Sequence, residues 1–127
     1  MKQLPDLSPL VGSEVTQVAF DYQVTFLLAG FDELGRPRVE ATLTIGTDFT
    51  IAKGGSDTMV TPASAGNYRV VLGLLRKTIR GADVAPDETL TLHFQDDLAV
   101  AVHPHVSYES WELQGRGIDS WLVGPLA

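Results

Sequence analysis

Between Val15 and Leu28 the even positions are all apolar: Val18, Phe20, Tyr22, Val24, Phe26 and Leu28. Gln17, Asp21, Gln23 and Thr25 hold odd positions. A period of two marks a strand with one buried face. The run is long for a single strand, and Asp21 can hold a turn, so the pattern predicts two strands near 14–20 and 22–29. Residues 38–45 alternate again, with Val39, Ala41, Leu43 and Ile45 on one face. Gly35 and Pro37 punctuate the turn before them. After a break at Gly46-Thr47-Asp48, Phe49-Thr50-Ile51 resumes a short strand. Lys53-Gly54-Gly55-Ser56-Asp57 then reads as a flexible loop.

The period changes once. Tyr68, Val71, Leu72 and Leu75 fall at i, i+3, i+4 and i+7, which predicts a helix within 62–75, centred on 64–75. Ser64 or Asn67 can cap it, Gly73 shortens it, and Arg76 and Lys77 suit its negative pole. Residues 77–84 are the next strand candidate. Residues 90–94 and 98–102 follow, carrying Leu90, Leu92 and Phe94, then Leu98, Val100 and Val102. For both sets to share a face, Phe94 must pair with Leu98, leaving Gln95-Asp96-Asp97 as a three-residue hairpin loop. The fold class expected is α+β: mainly antiparallel β, with about seven or eight strands in two related meanders and one short helix.

The relation between the halves is legible in the residues. The segment 11–18 aligns with 75–82, so that Val15 meets Ile79 and Val18 meets Ala82. After a two-residue insertion, Val24-Thr25-Phe26 meets Leu90-Thr91-Leu92. Two amphipathic hairpins also match by alternation alone. A duplication would divide one domain, 1–127, into halves at about 11–52 and 75–113. It would arrange them around a pseudo-twofold axis, with the helix as the joint.

A chain of 127 residues is near the commonest domain size and long enough to bury a core. The absence of cysteine excludes disulfides, thiolate metal sites and a cysteine nucleophile. A net charge of −7 repels phosphate backbones, so nucleic acid is not an expected partner. The same charge favours solubility and would suit a basic protein surface. Pro5, Asp6 and Pro9 interrupt the N-terminal segment, so no signal peptide is read there. No run approaches a membrane span, and the expected compartment is the cytoplasm.

The string from Leu90 to Pro104, followed by Tyr108-Glu109-Ser110-Trp111-Glu112-Leu113, resembles a family of small bacterial proteins of unknown function. That family has a Leu-x-Leu-x-Phe-x-Asp-Gly hairpin, a proline, and then Tyr-Glu-x-Trp. Leu72-Gly73-Leu74-Leu75 and the spacing of Gly12, Val15 and Val18 fit as well. The resemblance implies no established activity. Asp97 stands where the family usually has glycine, which implies a different turn geometry. Size and acidity are similar to those of immunity proteins that neutralise secreted bacterial toxins, an analogy only.

His103-x-His105, then Glu109 after three intervening residues, and Gly115 further on, resembles part of the cupin metal motif. Such ligands would suit zinc, iron or manganese. Against this stand Asp97 at the expected glycine, the lack of a second histidine motif, and Pro104, which ends the strand. His93 sits opposite Ala99 in the hairpin register, ~13 Å along the strand from His103. The metal reading is therefore the weaker one, and no cofactor is implied. Tyr108, Glu109, Trp111 and Glu112 form the candidate binding patch, an aromatic hot spot beside carboxylates. The favoured reading of the string puts Trp111 in the core with Glu109 solvated, because aromatics dominate core burial.

No Gly-x-Ser-x-Gly elbow or phosphate-loop lysine pattern is present, and Asp96-Asp97 suits a solvated turn. The leading expectation is a non-enzymatic protein-binding module, of immunity type by analogy, with a basic partner. The alternatives are a metal or small-molecule site at His103, His105 and Glu109, and a structural homodimer formed through exposed strand edges.

Overall fold

The computed structural model describes residues 3–125, so the first two residues of the irregular lead-in lie outside it. In chain order the strands are β1 (Glu14–Phe20), β2 (Val24–Phe31), β3 (Pro37–Ile45), β4 (Phe49–Lys53), β5 (Ser56–Val60), β6 (Ile79–Val84), β7 (Leu90–Phe94), β8 (Leu98–Val102), β9 (Trp111–Arg116) and β10 (Trp121–Val123). They form two antiparallel five-stranded sheets, ordered β1-β2-β3-β9-β10 and β5-β4-β8-β7-β6.

The expected α+β class is therefore overturned. Among the described residues, helix is confined to α1 (Tyr68–Leu72) and to 3-10 turns at Ser8–Leu10 and Ala65–Asn67, and the rest of the regular structure is antiparallel β, so the expectation of mainly antiparallel β holds, with ten strands in place of seven or eight. The apolar stripe does not hold a helix across 64–75 because its residues part company. Val71 and Leu74 are buried, whereas Leu72 and Leu75 are exposed. A buried pair three apart is served by tighter winding. Accordingly Leu74 N donates to Val71 O and Leu75 N to Leu72 O. Asn67 does not cap the helix; its Nδ2 donates to Met59 O at 2.6 Å. Tyr68 docks α1 by stacking on Phe20, with ring centroids 3.9 Å apart.

Two segments read as loop or strand face change role. Gly54 and Gly55, at φ 55° and 87°, turn the chain back on itself, so 56–60 pairs with β4 as an edge strand. Left-handed glycines are what a two-residue hairpin turn requires. Being an edge, β5 is largely polar and shows no buried alternation to read. Tyr22, aligned by period with buried residues, lies in the turn that pairs Phe20 with Val24. Gly115 belongs to β9. A Cβ there would meet Glu40 O at 2.1 Å, so only glycine lets β9 lie against β3.

The β7–β8 hairpin takes the register its apolar residues require, with Phe94 opposite Leu98 and His93 opposite Ala99. The turn does not escape the glycine conformation at Asp97. Asp96 and Asp97 both adopt positive φ, 63° and 58°, which Asp tolerates better than most residues.

The sheets are joined where β1 and β6 begin. Gly12 N donates to Ile79 O and Arg76 N to Val15 O. Ile79 N donates to Ser13 O and Val15 N to Lys77 O. Each pair of bonds exchanges when 12–15 is swapped with 76–79. Both strands bulge just beyond, between Val15 and Gln17 and between Ile79 and Gly81. The bulge in β1 shifts its phase, so Val15 and Val24 are both fully buried although their parities differ. The β4–β5 hairpin then pairs with β8 and the β9–β10 hairpin with β3, so each sheet receives a hairpin from the other part of the chain. Phe26 of the first sheet and Phe49 of the second meet edge to face at 6.5 Å across the core.

At the hairpin tip, Lys77 Nζ donates to Asp96 Oδ2 at 2.5 Å. That bond, with the charge of the ammonium behind it, holds the Asp96 carboxyl below its ordinary value of 3.8. A depressed folded-state pKa means that the associated stability is present above 3.8 and is lost as pH falls through the lower folded value. Lys77→Met is therefore expected to raise the Asp96 pKa toward 3.8 in a carboxyl NMR titration. An unchanged Asp96 curve would show that the ion pair does not form in solution.

Candidate functional site

Four loops converge at one end of the sandwich. The β1–β2 turn brings Tyr22, the β3–β4 connection Gly46, Thr47 and Asp48, and the exit of β5 Thr61, Pro62 and Ala63. The β8–β9 connection adds His105 and Tyr108. They line a cleft of about 350 Å³. A smaller hollow of about 100 Å³ continues from it, lined by Gln23, Thr44, Glu109, Trp111, Glu112 and Leu122, and Gly46 borders both. Tyr22 is 83% and Tyr108 57% exposed. Both rings are open to solvent at this concave surface.

Ser110 organises the site from beneath. It is fully buried and makes three bonds. Its Oγ accepts from His105 N at 2.8 Å, its N donates to Val123 O at 2.8 Å, and its O accepts from Gly46 N at 3.0 Å. One residue thus ties the histidine loop, the β3–β4 connection and β10 together. Gly46 has to be glycine, because a Cβ would stand 2.7 Å from Glu109 O.

The histidines are held separately. His103 Nδ1 pairs with Thr89 Oγ1 at 3.1 Å. His105 Nδ1 accepts from Ser107 N at 2.9 Å, so the neutral ring carries its proton on Nε2. The His105 ring lies 4.6 Å from that of Tyr108, tilted by 34°. Among the described residues, no group of three or more His, Asp or Glu side chains is placed to hold a metal ion. His103, His105 and Glu109 are therefore not gathered into a ligand set.

Of the candidate binding residues, the structure brings Tyr108, Glu109 and Glu112 to the rim of these hollows and sends Trp111 inward. Trp111 is 1% exposed, and its Nε1 donates to Glu88 O at 3.0 Å. Tyr108 precedes β9 and lies in the β8–β9 connection. Sequence reasoning missed Tyr22, Asp48 and Ser110 as contributors. The aspartate-led turn at Asp21 was the available signal for Tyr22; nothing local marks Ser110.

A family model described as "Family of unknown function (DUF6188)" matches residues 6–126. No curated protein and no solved structure is significantly similar to the chain. The description of the family names neither an activity nor a partner, so the Tyr-Glu-x-Trp signature and the immunity analogy gain nothing from it.

The burial pattern separates scaffold from surface. Trp111→Ala is expected to cost about 3–5 kcal/mol of stability, whereas Tyr108→Ala and Glu109→Ala should each change it by less than about 0.5 kcal/mol. Urea unfolding followed by circular dichroism checks this. Equal losses in all three would place Tyr108 in the core.

Proposed function

We propose that this chain, which belongs to the DUF6188 family of unknown function, is a non-enzymatic binding module for a protein with a basic surface. The observation that carries the reading is the pair of adjoining hollows. Their rims present Tyr22, Tyr108 and Leu122, all exposed, beside the carboxylates Asp48, Glu109 and Glu112. Exposed tyrosines supply large contact area at low conformational cost. Carboxylates beside them favour a cationic partner and speed its approach. The net charge of −7 acts in the same direction at longer range.

Nothing in the site asks for bond-making chemistry. His105 uses Nδ1 on a backbone amide, and Ser110 is buried with its oxygen engaged, so neither supports a nucleophile and base in contact. Neutralisation of a basic toxin would be one form of such binding, and it rests on acidity and size alone.

The test is an affinity pull-down from the native host, followed by binding measurements on the captured protein. Tyr22→Ala and Tyr108→Ala are each expected to weaken binding by about 2 kcal/mol or more if they act as anchors. The double variant Glu109→Gln/Glu112→Gln should slow association and flatten its salt dependence. Full affinity in both tyrosine variants would remove the assignment.

A further inference from the structure

A second cleft lies away from this site and shares no lining residue with it. It has a volume of about 360 Å³ and sits between α1, the tip of β4 and the β7–β8 hairpin. Its walls are Lys53, Arg69, Val70, Gly73, Lys77, Asp96 and Leu98. Three of the nine basic residues of an acidic chain therefore face one hollow, with a single carboxylate among them. That carboxylate is engaged with Lys77. Neither Lys53 nor Arg69 makes an ion pair within 4.0 Å of a described carboxylate, though the charge of Lys53 also acts on Asp96; the arginines that do pair, Arg36, Arg76 and Arg116, lie outside this cleft.

We infer that this cleft binds a small organic carboxylate with an apolar body. The Arg69 guanidinium offers the planar fork that matches a carboxylate, and Lys53 and Lys77 add point charges. Val70 and Leu98 supply apolar surface for the remainder of the molecule. The volume falls in the range of small-molecule sites. In the β7–β8 turn Asp96 adopts positive φ, and its carboxylate holds Lys77 at the cleft wall. Gly54 N donates to Asp97 O at 3.3 Å, joining the two hairpin tips that form one side.

The experiment uses the full chain, isotopically labelled, titrated separately with hexanoate and with inorganic phosphate while amide shifts are followed. Hexanoate is expected to move the amides of Val70, Gly73 and Leu98 in a saturable way. Arg69→Gln should weaken that binding about tenfold, the loss of one charge-assisted hydrogen bond. Arg80→Gln, at a basic residue outside the cleft, should leave it unchanged and controls for general charge. The inference fails if hexanoate leaves those amides in place, if phosphate alone moves them, or if Arg69→Gln binds as tightly as the parent.

Discussion

The structure depends on the short antiparallel ladder between 12–15 and 76–79. β1 and β6 are edge strands of their sheets. Unpaired buried amides and carbonyls are costly, and an open edge invites pairing with another chain. Four reciprocal backbone bonds pair the start of each edge with the other. Because the bonds exchange under a local two-fold, the chain reaches this arrangement twice with different side chains. Leu10 and Leu74 are both buried just before it, and Val15 and Ile79 both within it.

The exchange of hairpins follows from that joint. With β1 and β6 tied together, the faces of the two sheets stack, and the β4–β5 and β9–β10 hairpins extend the opposite sheets. The core is therefore shared. Val24, Phe26, Leu43 and Ile45 come from one sheet, and Phe49, Ile51, Leu92 and Val100 from the other. Trp111 fills its end of this core and bonds to Glu88 in the β6–β7 connection, binding β9 to a neighbouring loop. The conspicuous aromatic of the C-terminal motif is thus a structural residue, and its sequence neighbours Glu109 and Glu112 remain at the surface.

Crossovers between sheets also make the concave surface. The β3–β4 and β8–β9 connections pass from one sheet to the other, and loops that cross leave hollows between them. Ser110 and Gly46 fix how closely the two crossovers approach. The carboxylates and tyrosines are displayed on a frame whose rigidity comes from buried backbone bonds. The cationic cleft is built on hairpin tips and the single short helix, so the two hollows differ in both charge and support.

Period-two alternation was enough to place β1, β2, β3, β7 and β8 and the pairing of Phe94 with Leu98. Side chains on successive residues must point to opposite faces, and only one face meets the core. The polar edge strand β5 carries no such contrast and was invisible for that reason. The helix was over-read because a stripe of apolar residues records periodicity but not which members find a partner; Leu72 and Leu75 found none. At the candidate site, Tyr108, Glu109 and Glu112 were legible as an aromatic and acidic string. The burial of Trp111 was legible too, in the reading that places it in the core. The meeting of the string with Tyr22 and Asp48 was not. It depends on which sheet each crossover joins, and contacts between segments so distant in the chain are decided by the packing of the two sheets.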